Sequence, residues 1–306
     1  MNSIFNLPKR LYIETTNLCN ARCVFCMYPK IHGTFPVQYM DQDLFESVVT
    51  DYTNMGGKTI SMTPTVADPF TDNLFHERIN YLKKSRIEKV FLYSNFIAFR
   101  KPIQDAFENL NNLILDISIS MVGWNKEMYH KLMGVDKFDK VISNLDILGK
   151  ILNKNKNIEA NVTLRHYENS PTLSQDLNNM VQICRKNNIR TVSAHDFDTW
   201  GGLLEEEMKN NIHLSGKVRK RLPRTKPCEV TYRKPLITVN GDYKVCECRD
   251  VHYETKIGNV KEKPFSELWY SEELKNFRKL FYTPDKLPNI CKKCEVYAPY
   301  EKVSYL

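Results

Sequence analysis

An α/β fold, a mostly parallel sheet flanked by helices and followed by a smaller α+β segment, is predicted by three observations. Short β-branched apolar runs alternate with amphipathic helical stretches through the first two thirds of the 306 residues. That alternation stops in a charged, aperiodic stretch after "FDTWGGLLEEE". A hairpin signal and a further helix with an apolar stripe come after it.

The strand candidates, in order, are Leu11–Thr15, Thr59–Thr63, Lys89–Ser94, Leu113–Ser120, Ile158–Arg165 and Thr191–Phe197. Amphipathic stretches such as Asp43–Met55, Leu74–Lys84 and Asp176–Asn187 lie between them. Helices between strands read as crossovers, so the sheet is parallel, either open or closing toward a barrel. Six βα units fall short of the eight in a complete (β/α)₈ barrel. Residues 204–226 read as a basic linker or lid. "PLITVNGDYKVCEC" reads as a hairpin about Asn240-Gly241, and "PFSELWYSEELKNFRKLF" as a helix. The expected division is 1–203, 204–226 and 227–306. No solenoid-type repeat occurs.

Composition narrows the function. No run approaches the roughly 18 apolar residues of a membrane span, and "MNSIFNLPKR" lacks a secretory signal, so the expected location is the cytoplasm. Nine cysteines in such a chain read as metal ligands or reactive thiols rather than disulfides. The net charge is +8, densest in "GKVRKRLPRTK" (216–226). That stretch is either a solvated linker or an attractor for a phosphorylated or otherwise acidic substrate. No recognition module accompanies it, so nucleic acid is not an expected partner.

Cys19, Cys23 and Cys26 follow the first strand, at the end of a βα unit where chemistry collects. Three thiolates under a cubane of four irons leave one iron open to a small molecule. C-x₃-C-x₂-C with Phe25 before the last cysteine resembles the radical S-adenosylmethionine (SAM) enzymes. The resemblance implies a partial (β/α)₆ TIM-like barrel. It also implies a [4Fe-4S] cluster chelated by SAM, a 5′-deoxyadenosyl radical, and a reductant such as flavodoxin or ferredoxin. In the same order, Ala67-Asp68-Pro69 stands where the family holds the SAM amino group, with Asp68 as acceptor on a shorter stem. "YSNF" with Asn95 resembles the signature after strand three. "SISMVG" resembles the segment near the SAM ribose, with Ser118 and Ser120 as donors. Arg165 is the candidate partner of the SAM carboxylate. Sheet-end structure is the competing reading for Ser118, Ser120 and Arg165.

Cys228, Cys246, Cys291 and Cys294 form a set of four, which would close a zinc or an iron–sulfur site, and spacing alone does not choose. The run from Cys228 to Cys294 looks like a twitch domain, the shortened SPASM module of radical SAM aminocyclitol dehydrogenases and sugar epimerases. That likeness implies one auxiliary [4Fe-4S] cluster, two clusters in all. Where a full SPASM module continues with cysteine, this chain has Tyr300.

Cys184 shares a helical face with Leu177, Met180 and Val181 and reads as core. Cys248 stands outside both ligand sets. If the strand runs through it, it lies on the same face as Cys246, about 7 Å further along. It is then a hydrogen-atom donor, an alternative ligand or a passive hairpin residue. His195, Asp196 and Asp198 are candidate bases at the end of strand six. Two reactions follow, epimerisation with Cys248 as donor and two-electron dehydrogenation with the auxiliary cluster as acceptor. The substrate expected is a small polar molecule, with phosphorylated or nucleotide-linked sugars as candidates. Ribosomal peptide modification and a non-enzymatic iron–sulfur or zinc protein are the alternatives.

Overall fold

The computed structural model describes residues 7–123, 125–165, 174–194, 196–211 and 218–300. Six parallel strands lie side by side in chain order: β1 (Leu11–Ile13), β2 (Thr59–Ser61), β3 (Lys89–Ser94), β4 (Ile114–Val122), β5 (Ile158–Arg165) and β6 (Arg190–Ala194). Each crossover carries a helix, as parallel connections require. These helices include Gln42–Asn54, Phe75–Leu82, Lys101–Glu108, Phe138–Lys154 and Gln175–Lys186. The architecture is the partial barrel expected.

Because six strands do not close, the two faces of the sheet differ. Along β4, Leu115, Ile117, Ile119 and Met121 are buried, while Asp116, Ser118 and Ser120 between them are half-buried. In-register pairing sets Asp116 beside Glu159, Ser118 beside Asn161 and Ser120 beside Thr163. A polar floor results, with Lys89 bridging Asp116 and Glu159 at 3.0 and 2.9 Å. The helices bury the other side, where Phe45, Val49, Ile79, Leu145 and Leu148 are fully enclosed. Cys184 is fully buried there too, as its helical face predicts.

β7 (Leu236–Ile237) pairs in parallel with the free edge of β1, and β8 (Asp242–Lys244) and β9 (Lys256–Asn259) extend the sheet antiparallel. Gly241 turns the hairpin at φ +87°, a conformation that side chains resist. The single helix expected over 264–281 is broken at Ser271. This residue leaves helical geometry and caps the next helix, its side chain accepting the N–H of Leu274. The stretch after Leu204 likewise begins with a helix, Glu205–Asn210, rather than as a linker throughout. Among the described residues no helix is long and apolar enough to cross a membrane.

Candidate active site

The thiol loop leaves β1 at its C-terminal end and is pinned from below. Arg22 and Val24 donate their N–H groups to the carbonyls of Met133 and Leu132, at the end of helix Lys126–Met133. Gly134 caps that helix at φ +67°, and a Cβ there would sit 2.4 Å from the Arg22 carbonyl. Only glycine permits that approach.

Cys19, Cys23 and Cys26 line a chamber of about 290 Å³ at the C-terminal ends of the strands. Asp68, Asn95, Ser120, Arg165, Phe25 and Cys248 line it as well. The fit of a metal cluster rests on donor chemistry. Burial pushes the Cys19 thiol up to about 12, with Asp68 adding to it, and burial also raises Cys23 and Cys26. Three such thiols become thiolates together only on a cationic centre. N–H groups are already aimed at the sulfurs. Tyr28 N reaches Cys26 Sγ at 3.4 Å and Asn95 Nδ2 reaches Cys19 Sγ at 3.7 Å. Such bonds stabilise a ligating thiolate.

The second thiol set converges as well. Cys228, Cys246, Cys291 and Cys294 line one small internal cavity. Backbone N–H groups two residues on reach Cys246 Sγ at 3.4 Å and Cys294 Sγ at 3.3 Å. Tyr300 stacks on Tyr232 with ring centroids 4.4 Å apart.

Asp68 is 2% exposed and tightly held. It accepts the Phe70 N–H at 3.0 Å, the Asn95 N–H at 2.7 Å and the Ser94 hydroxyl at 2.9 Å. Burial pushes its carboxyl up to about 6, and those three donors limit the rise. Arg165 donates to the Asp196 carbonyl at 3.0 Å and lies against the rings of Phe25 and Phe197. Among the described residues its buried Nε has no hydrogen-bond partner, an orphaned donor on the chamber wall. Ser118 does not line the chamber, and it accepts from Asn161 Nδ2 at 3.1 Å.

Two expectations around Cys248 change. The strand does not run through Cys246 and Cys248, because β8 ends at Lys244 and the backbone bends from Val245. The cysteines are neighbours for another reason: a tight turn lets the Cys248 N–H reach Cys246 Sγ, with Glu247 between them. Cys246 therefore faces the internal cavity while Glu247 and Cys248 face the chamber. Their mutual hydrogen bond pushes the Cys248 thiol up, burial adding to it, and pulls Cys246 down.

The base candidates divide. His195 lies outside the described residues. Asp196 is exposed, does not line the chamber and pairs with Arg219 at 3.4 Å. Asp198 does line it, but Arg249 grips both its oxygens at 2.6 Å. Burial alone would raise the Asp198 carboxyl; the Arg249 charge and hydrogen bonds outweigh it and hold it below the usual range. A carboxylate so held is a weak base.

Arg249 gave no signal beyond its place next to Cys248. It also donates to the Cys248 carbonyl at 2.8 Å and stacks on Trp200 at 4.4 Å, and Trp200 Nε1 donates to the Phe25 carbonyl at 2.9 Å. Three arginines of the basic stretch have partners within the chain. Arg219 holds Asp196, Arg221 holds Glu205 and Glu295, and Arg224 holds the carbonyls of Cys291 and Cys294.

Residues 13–170 match the radical SAM superfamily, and residues 228–295 match the SPASM iron–sulfur cluster-binding domain. No curated protein sequence matches the chain. Among solved structures, SuiB from Streptococcus suis bound to precursor peptide SuiA superposes with a TM-score of 0.65 at 15% identity. The match spans 95% of this chain and 72% of that one. BtrN in complex with AdoMet and 2-DOIA gives 0.60 at 14% identity, over 99% and 98% of the two chains. The anSMEcpe enzyme with bound AdoMet and Kp18Cys peptide gives 0.60 at 15%, over 96% and 91%. At such identities the likeness is one of fold. A radical SAM domain carries a [4Fe-4S] cluster and SAM, and the SPASM segment carries further iron–sulfur binding. Matched over more than half its length, with three thiols converging where the family's motif lies, the chain belongs to the radical SAM superfamily.

Proposed function

We propose that this enzyme inverts a carbon centre of a small, polar, sugar-like substrate, removing hydrogen from one face and returning it from the other through Cys248. One observation carries the reading: Cys248 lines the same chamber as Cys19, Cys23 and Cys26 and does not line the cavity of the second thiol set, although its thiol lies within 4.8 Å of that of Cys246. Those three thiolates would hold the SAM-binding cluster, and Cys228, Cys246, Cys291 and Cys294 an auxiliary one. Bound there and given one electron by a low-potential donor, the first cluster and SAM would supply a 5′-deoxyadenosyl radical able to take a substrate hydrogen atom. Cys248 then gives up its thiol hydrogen. The S–H bond breaks, a C–H bond forms on the opposite face, and one unpaired electron stays on sulfur. One electron from a low-potential donor of the flavodoxin or ferredoxin class, with a proton from solvent, restores the thiol. For dehydrogenation Asp198 offers little support as a base, because it is clamped by Arg249, which leaves Glu247 on the same chamber wall to take the proton.

The test is Cys248→Ala, with the reaction run in D₂O. We expect 5′-deoxyadenosine to form still while inverted product and its solvent deuterium disappear. Inversion with label in the mutant refutes the donor role. Peptide modification is the second reading, supported by the half-exposed lip of Phe35 and Val37 and by the peptides in two similar structures.

Asp68 and Arg165 are proposed to seat the amino and carboxylate groups of SAM. Asp68→Asn should weaken SAM binding about tenfold, the loss of one charge-assisted hydrogen bond. In the parent protein SAM affinity should fall as pH drops through about 6, where the Asp68 carboxyl takes up a proton. The variant should lack that step. SAM-induced spectral change of the anaerobic protein measures both.

A further inference from the structure

Beside the thiol-lined chamber lies a second one of about 340 Å³ that no step above uses. Thr65 and Val66 form the sill between them. The first chamber is at the lower end of ligand pockets and suits one molecule. A substrate meeting SAM needs the adjoining space.

Two buried groups of opposite charge face that space. Glu14 is 5% exposed, and its Oε2 accepts the Thr65 N–H at 3.1 Å. Among the described residues its other oxygen accepts no hydrogen bond. Lys244 is 2% exposed; its ammonium donates to the Asp250 carbonyl at 2.6 Å and lies 4.9 Å from the centre of the Tyr253 ring. Asp242 and Lys256, also on the wall, neutralise each other at 2.7 Å. Formal charge therefore balances. Tyr253 holds its ring in place at φ +62°, unusual for an aromatic residue, and packs against Phe35 at 6.4 Å.

A charged ligand would upset that balance beside two groups that are themselves almost fully buried. A phosphate would find no arginine on these walls, and Arg219, Arg221 and Arg224 are already engaged. A neutral ring bearing several hydroxyls meets an acceptor at Glu14, a donor at Lys244 and an aromatic face at Tyr253. We infer that the second chamber binds such a ring, a sugar or cyclitol without phosphate, and presents it across the Thr65–Val66 sill. This rests on the proposed reaction and names its substrate class.

The test uses the anaerobic holoenzyme with SAM but no reductant, and saturation-transfer NMR. The probes are methyl glucoside, myo-inositol, glucose 6-phosphate and a neutral capped tripeptide of alanine and serine. We expect at least one neutral ring to bind, and Glu14→Gln to weaken it about tenfold by removing the charged acceptor. Phe35→Ala, at a half-exposed position, should weaken it about threefold and serves if the Glu14 variant fails to fold. The inference is overturned if neither ring binds, if the phosphate ester or the tripeptide binds more tightly than both rings, or if the folded variants keep full affinity. Failure of the radical reading has a different signature, absent 5′-deoxyadenosine when reductant is added.

Discussion

Replacing Cys19, Cys23 or Cys26 by alanine should abolish reductant-dependent formation of 5′-deoxyadenosine, a drop of at least about a thousandfold. The thiols line one chamber, and three are what a cubane with one open iron requires, so none is a spare ligand. Two thiolates cannot hold a cubane that must also keep an open iron. The second set is spatially separate, so the variants should retain about four irons per chain after anaerobic reconstitution. Iron analysis with chromatography of the SAM products checks both halves. Undiminished SAM cleavage in any of the three would remove the basis for placing the cluster at this loop.

Arg249→Ala should cost about 3 kcal/mol of stability, seen as a fall in Tm of the anaerobic protein. The Asp198 side chain is only 11% exposed and would keep its charge with both of its short hydrogen bonds gone. The same change removes the donor on the Cys248 carbonyl and the cation stacked on Trp200. Asp198→Asn should cost less, because it removes one charge and keeps hydrogen-bonding atoms. Acid should mimic the larger loss. The Asp198 carboxyl is held below its unfolded value, so its contribution is complete above the ordinary Asp value of about 3.9 and is lost as pH falls below it. A Tm of Arg249→Ala within a degree or so of the parent would show that the clamp does not join the two thiol regions.

Much of the candidate site could be read in advance because its signals are local. Cysteines three and four residues apart must share one loop, and Cys291 and Cys294 must share one turn. Asn95 and Arg165 sit where strands end, Ser120 lies near the end of β4, and Asp68 lies in the loop after β2, and these ends and loops of βα units face one rim. What failed depended on longer range. A strand through Cys246 and Cys248 would set them about 7 Å apart on one face; the bend after Lys244 instead keeps the two thiols within 4.8 Å of each other while each lines a different cavity. Asp198 reads as a base in the sequence, and Arg249, fifty-one positions away, holds it in the fold.

By itself, then, the sequence determined the class: alternating β-branched and amphipathic runs dictate a parallel sheet, and closely spaced thiols dictate a metal centre. Both are consequences of backbone periodicity and ligand chemistry, which act over a few residues. Only the tertiary structure decided that β7 joins the edge of β1, that Glu14 and Lys244 face one chamber, and that Arg249 spans from one thiol set to the other. Those contacts join residues far apart in the chain. Burial and charge pairing select them only after the sheet has brought its strand ends together.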